Sequence, residues 1–164
     1  MTELIEGSDR ENEESGRQRF LTFRLGDGLF GINIRYIDEI LGMPPITAMP
    51  DMPDYIKGIV KLRETIIPIM DVRLRFKMPE KDYTDRTCII VTDFGGISVG
   101  LIVDSVSEVL AIPGTDISDN CGFDSGNSLG YVEGIGKIKD GIILLIDCGK
   151  LLNREELGAL SAQL

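Results

Sequence analysis

The 164-residue sequence contains no histidine. That absence removes the commonest general base, the commonest metal ligand and any phosphorelay through histidine on this chain. Long apolar runs are missing too. The longest, Ile142-Ile143-Leu144-Leu145-Ile146, falls far short of the roughly 18 residues a membrane-spanning helix needs. Cysteine is sparse: Cys88, Cys121 and Cys148 are odd in number, widely spaced and form no C-x-x-C pair, which suits a reducing compartment. Cations are outnumbered, with 17 Lys and Arg against 27 Asp and Glu, a net charge of −10 that repels phosphate backbones and anionic lipid surfaces. Nucleic acid and direct membrane insertion are therefore not expected. Met1–Arg19 has acids where a secretory signal needs a basic start and an apolar stretch, so the expected compartment is the cytoplasm.

What is present is organised as a repeat. Residues 1–19 carry six acids, three arginines and three large apolar residues, too few to offset the entropy of ordering, and are expected to form a flexible acidic tail. From Phe20 the pattern alternates, and Gly26-Asp27-Gly28 marks a turn between two strands. At an offset of 69, Phe30–Leu41 lies over Val99–Leu110, repeating a glycine, a glutamate and a leucine. At an offset of 76, Tyr55–Asp71 lies over Tyr131–Asp147 with seven identical pairs, among them Gly58 with Gly134. The second copy thus has seven more residues, assigned to the Gly-, Ser-, Asp- and Asn-rich stretch Thr115–Gly130.

Each copy supplies about five short strands and no long helix, and curling into a small closed barrel is the economical way to bury the apolar face and limit free edges. The expected fold is mainly β, with two tandem five-stranded barrels. Subdomain one is placed at about 20–86 and subdomain two at about 87–152. A C-terminal helix is expected over 153–164, capped by Asn153 with Glu156 at the capping-box position.

Enzymatic motifs are scarce. Asp124-Ser125-Gly126 matches the aspartic-protease triplet, but it does not end an apolar strand and the other copy has no counterpart, so a surface turn is the preferred reading. The glycines at 95, 96, 134 and 136 lead into no helix and fit hairpins better than phosphate cradles. No catalytic residue, cofactor or metal site is assigned. Glu39, between Ile37 and Ile40, and Arg63, at a hairpin tip, are candidates to pair across a barrel and fix an exposed apolar strip; the alternative is an ordinary surface ion pair worth under about 1 kcal/mol. Gly58 reads as a position of close backbone approach or as part of that surface.

Phe20-Leu21-Thr22-Phe23-Arg24-Leu25-Gly26 with Phe30-Gly31-Ile32-Asn33-Ile34, then Ile37-Asp38-Glu39-Ile40-Leu41-Gly42, then Tyr55–Arg63 with Ile67-Pro68-Ile69-Met70-Asp71-Val72-Arg73 resemble, in order, the CheW family of bacterial chemotaxis adaptors. The resemblance spans Phe20 to Leu152. It implies SH3-like barrels and a non-enzymatic protein that couples methyl-accepting chemoreceptors to the histidine kinase CheA in signalling arrays at the inner face of the membrane. One surface would bind the CheA regulatory domain, and a groove between the barrels would take the receptor's cytoplasmic tip. Carried over by position, the resemblance implies Glu39 and Arg63 as the pair shaping the binding surface, Ile37 and Gly58 as partner-contact positions, and Ile89 and Val106 as lining the second barrel's side of the groove. The family commonly has Asn-Leu-Arg-Gly where this chain has Lys61-Leu62-Arg63-Glu64, so the expectation is that Glu64 sits poorly in a turn position requiring positive φ. An adaptor of a parallel chemosensory pathway and, from a different class, a histidine-free carboxylate hydrolase using Asp124 are the competing readings.

Overall fold

A computed structural model describes residues 17–119 and 128–151. Eleven strands run β1 Arg17–Leu25, β2 Gly28–Asn33, β3 Ile37–Gly42, β4 Ile56–Leu62, β5 Thr65–Asp71, β6 Cys88–Phe94, β7 Ile97–Val103, β8 Ser105–Pro113, β9 Ile117–Asp119, β10 Val132–Ile138 and β11 Gly141–Ile146. Two single-turn helices, α1 Val72–Arg75 and α2 Cys148–Leu151, follow β5 and β11. The expected C-terminal helix, Cys121 and the Asp124 triplet lie outside the described residues.

Two sheets form, a five-stranded one in the order β3-β6-β7-β5-β4 and a six-stranded one in the order β8-β1-β2-β11-β10-β9. The mainly β, two-barrel architecture is as expected. The division of the chain into consecutive halves at 86/87 is corrected by the strand order: the copies exchange hairpins. Hairpin β1–β2 joins the second copy's strands through a parallel pairing of Gly31 with Leu145, and hairpin β6–β7 joins the first copy's through Gly100 with Ile69. These two pairings are equivalent under the offsets of 69 and 76. Strand β1 also starts at Arg17, which pairs with Pro113, three residues before the expected start at Phe20.

The exchange sets the burial pattern. In β5, Ile67 and Ile69 point into the five-stranded barrel, whereas Met70 on the other face joins a core shared by both sheets. Burial on both faces is what the unbroken apolar run Ile67–Met70 encodes, where one-sided strands would alternate. The shared core gathers Phe23, Phe30 and Ile32 from one sheet and Ile90, Leu101 and Phe76 from the elements of the other. Separate, smaller clusters fill each barrel, around Ile69 and Ile89 in one and around Phe20 and Ile143 in the other. At about 1.5–3 kcal/mol per large apolar side chain buried, the shared core is the largest single stabilising contribution and holds the barrels together.

Polar contacts then fix their relation. Asp71 caps α1 by accepting from Leu74 N and also accepts from the Tyr83 hydroxyl at 3.0 Å, while Asp147 caps α2 by accepting from Gly149 N at 2.9 Å. Arg73 of α1 makes a two-pronged ion pair with Asp104, Nε to Oδ1 at 2.7 Å and Nη2 to Oδ2 at 2.6 Å, and Asp104 also accepts from Gly26 N in the β1–β2 turn at 2.8 Å. The β1–β2 tip of one barrel is thereby tied to the helix that follows β5 of the other. The Arg73 hydrogen bonds hold the Asp104 carboxyl below its usual pKa, and the same contacts raise that of Arg73. Arg75 lies over two equivalent rings, 4.4 Å from the Tyr55 centroid and 5.2 Å from that of Tyr131, a cation–π contact that spans the two copies.

Candidate functional site: the seam of the five-stranded barrel

Strands β3 and β4 are the outer members of the five-stranded sheet, so its closure depends on what joins them. Two contacts do so. Thr47, between the strands in sequence, exchanges both backbone hydrogen bonds with Ile59, at 2.9 and 2.8 Å. Arg63, at the tip of the β4–β5 hairpin, donates from Nη2 to Oε2 of Glu39 at 2.7 Å. The expected pairing of Glu39 with Arg63 across the barrel is present, and its effect is to latch the seam.

Local structure explains how each partner reaches the other. The β3–β6 register shifts between Ile37 and Glu39, leaving Asp38 as the extra residue of a bulge that re-aims the following side chain. Leu62 pairs with Thr65, so Arg63 and Glu64 form a two-residue loop in which Arg63 has φ +56°. The positive φ thus falls on Arg63 and not on Glu64, which corrects the expectation that Glu64 bears the strain. A left-handed non-glycine residue costs about 1–2 kcal/mol. The Arg63 side chain is 73 % exposed, so its ion pair returns at most about 1 kcal/mol. Because the strain is at least as large as the gain, this arrangement adds no net stability to the fold.

Gly58 lies directly beneath the seam. Its φ is +150°, and a Cβ placed on it would lie 2.1 Å from the Thr47 carbonyl oxygen and 2.7 Å from that carbonyl carbon. No side chain fits there. The role the structure gives Gly58 is close approach of two backbones at the seam. Its counterpart Gly134 is looser, with Ser118 O at 3.0 Å from the added Cβ and no positive φ.

Ile37 and Val106, equivalent at the offset of 69, are half-buried and both pack against the shared core where the barrels meet. Ile89 does not line a groove: it is fully buried inside the five-stranded barrel, against Gly100. Its strand is covered on both faces, so Cys88-Ile89-Ile90-Val91 presents no outward alternation. Two exposed isoleucines escaped sequence reasoning, Ile66 at 44 % and Ile142 at 55 %. They are equivalent at the offset of 76, each pairs with a lysine (Lys61 and Lys137), and this recurrence in the repeat is the signal that finds them. Ile66 adds an apolar element beside the Arg63 tip, giving the mixture of apolar surface and charged rim found in transient interfaces. Thr47, the other seam residue, sits in a Pro- and Met-containing stretch with no periodicity to reveal it.

Taken together, the duplicated barrels, the shared core and the latched seam define a rigid scaffold that presents surfaces. Comparison with known proteins gives the family. The model of the CheW-like domain matches residues 19–156, and the chain belongs to this family of chemotaxis signalling adaptors. It is 37 % identical over 144 residues to "Chemotaxis protein CheW" of Klebsiella aerogenes, covering 88 % of this chain and 87 % of that one. It is 33 % identical over 142 residues to "Chemotaxis protein CheW" of Rhizobium meliloti, covering 87 % and 92 %. Among solved structures, the scaffolding protein TtCheW from Thermoanaerobacter tengcongensis aligns with a TM-score of 0.78 and 31 % identity over 84 % of this chain and 93 % of that one.

Proposed function

We propose that this chain is a non-enzymatic coupling protein joining the cytoplasmic tips of methyl-accepting chemoreceptors to the regulatory domain of the histidine kinase CheA in arrays at the inner face of the membrane. The observation that carries this reading is the strained Arg63–Glu39 latch, which belongs to a family of chemotaxis adaptors yet returns no stability of its own. Glu39, Arg63 and Ile66 form one candidate contact surface, with Gly58 acting through the seam beneath it. Ile37 and Val106, where the barrels meet, contribute to a second. Two surfaces on one rigid body raise the effective concentration of one partner for the other without any chemistry on this chain. Among the described residues no helix is long and apolar enough to cross a membrane, so recruitment to an array would come from receptor binding.

The test is binding of the purified protein, separately, to the CheA regulatory domain and to a receptor signalling fragment, each with wild type and with Arg63→Ala. Wild type binds both, and Arg63→Ala loses at least tenfold in affinity for one partner with an unchanged circular dichroism spectrum. Failure to bind either partner, or full affinity of the variant for both, overturns the reading.

A further inference from the structure

The chain passes from one sheet to the other at two equivalent points. Asp104 is the single residue between β7 of the five-stranded sheet and β8 of the six-stranded one. Its counterpart at the offset of 69 is Arg35, in the single helical turn Ile34–Tyr36 between β2 and β3. Each crossover lies two residues before one of the paired surface residues, Val106 and Ile37. The two are held differently. Arg73 engages Asp104, whereas the counterpart of Arg73 at the offset of 76 is Gly149, which has no side chain to offer Arg35.

We infer that residues 77–87, which join α1 to β6, are a strap that positions the Asp104 crossover, with Tyr83 as its pin. The strap completes the contacts of the ion pair. Arg73 commits Nε and Nη2 to Asp104 and donates its remaining Nη1 to Pro79 O at 3.2 Å, and Lys81 Nζ lies 3.9 Å from Asp104 Oδ2. The strap also reaches both barrels. Lys57 of β4 donates to Glu80, and the Met78 methyl lies 3.5 Å from where a Cβ on Gly26 would stand, over the β1–β2 turn that itself donates to Asp104. Beyond these contacts the Tyr83 hydroxyl donates to Asp71 Oδ2 at 3.0 Å. Asp71 is 2 % exposed and its other oxygen accepts from Leu74 N, so Tyr83 supplies the donor that satisfies the second oxygen of a buried carboxylate. Without that hydroxyl, water must take its place, and water enters only when the strap lifts. Arg73, two residues along from Asp71, then loses Pro79 O and the cover that keeps its side chain 12 % exposed, and its pair with Asp104 becomes a solvated one. Tyr83 is thus a positioning residue for the Val106 side of the surface where the barrels meet. Its bearing on partner binding rests on the coupling role proposed above; the strap itself does not.

The test is amide hydrogen exchange of the full chain, comparing wild type with Tyr83→Phe, which keeps the ring and removes only the hydroxyl. The Gly26 amide, which donates to Asp104, and the Asp104 amide, which donates to Arg24 O at 3.1 Å, report on the clamped crossover. The Arg35 amide, which donates to Asn33 Oδ1 at 3.0 Å, reports on the other. The expected result is exchange faster by about fivefold or more at Gly26 and Asp104, with Arg35 unchanged. With Arg73→Gln already in place, Tyr83→Phe no longer accelerates Gly26, because the strap has no guanidinium to act through. Acceleration confined to residues 71–87, equal acceleration at Arg35, or an undiminished effect in the Arg73→Gln background overturns the proposal. Partner binding does not enter these readouts, so failure here leaves the coupling role untouched.

Discussion

Replacing Gly58 by alanine distinguishes a seam residue from a contact residue. The methyl group would start 2.1 Å from the Thr47 carbonyl oxygen, a distance that real side chains do not reach, and the obstruction is backbone that no rotamer change can move. The Thr47 strand must retreat by about 1 Å, which weakens both of its hydrogen bonds to Ile59, worth about 0.5–1.5 kcal/mol each. The φ of +150° adds about 1–2 kcal/mol for any residue other than glycine. The expected loss is therefore about 2–5 kcal/mol. Gly134→Ala is the internal control: its added methyl meets Ser118 O at 3.0 Å in a backbone free of positive φ, and the cost should stay within about 1 kcal/mol. Urea denaturation of both variants, with amide exchange at Thr47 and Ile59, reads the difference directly. Equal costs for the two alanines, or a Gly58→Ala loss below about 1 kcal/mol, would refute the seam argument.

Other consequences are as concrete. Arg63→Gly relieves the left-handed backbone at the expense of chain entropy, so it leaves stability unchanged or raises it by up to about 1 kcal/mol while weakening partner binding; a clear loss of stability would show that the ion pair holds the fold. Asp104→Asn should cost about 2 kcal/mol at pH 7. Because the folded Asp104 pKa lies below its ordinary value of 3.8, this contribution is fully present above that value and is lost as pH falls through the lowered one. Wild type and variant should thus converge in stability on acidification below about pH 4, and parallel curves would contradict the assignment. Burial, with Glu133 and Asp147 nearby, pushes the Cys148 thiol up to about 12, so it should resist a thiol reagent at pH 8 until the protein unfolds; rapid labelling of Cys148 itself in the native protein, read by peptide mass to separate it from the partly exposed Cys88, would contradict that burial.

Much of the architecture was legible because apolar periodicity and self-similarity are local signals. The Gly26-Asp27 turn, the repeated Tyr…Gly…Ile…Lys…Asp stretch and the cross-barrel pairing of Glu39 with Arg63 all follow from short-range pattern. Which hairpin pairs with which sheet is not local. Phe30-Gly31 would look the same beside Ile69 as beside Leu145, so the exchange of hairpins and the position of the domain boundary were hidden. The inward position of Ile89 is hidden for a related reason: in a strand buried on both faces, no polar residue marks the outward side. At the β4–β5 tip the absent glycine points to Glu64, whereas the two-residue loop puts the left-handed conformation on Arg63. The Thr47 contact needs the folded chain to bring a non-periodic loop against Gly58, and nothing in residues 43–53 announces it.

The most direct test of the coupling role is reconstitution of CheA with a receptor signalling fragment on vesicles, with kinase activity measured without this protein, with wild type and with Glu39→Lys. The account predicts receptor-dependent kinase activation by wild type, and loss of that activation by a Glu39→Lys protein whose unfolding midpoint is essentially unchanged, since the exposed latch contributes at most about 1 kcal/mol. Activation that survives Glu39→Lys, or no activation by wild type, would contradict it.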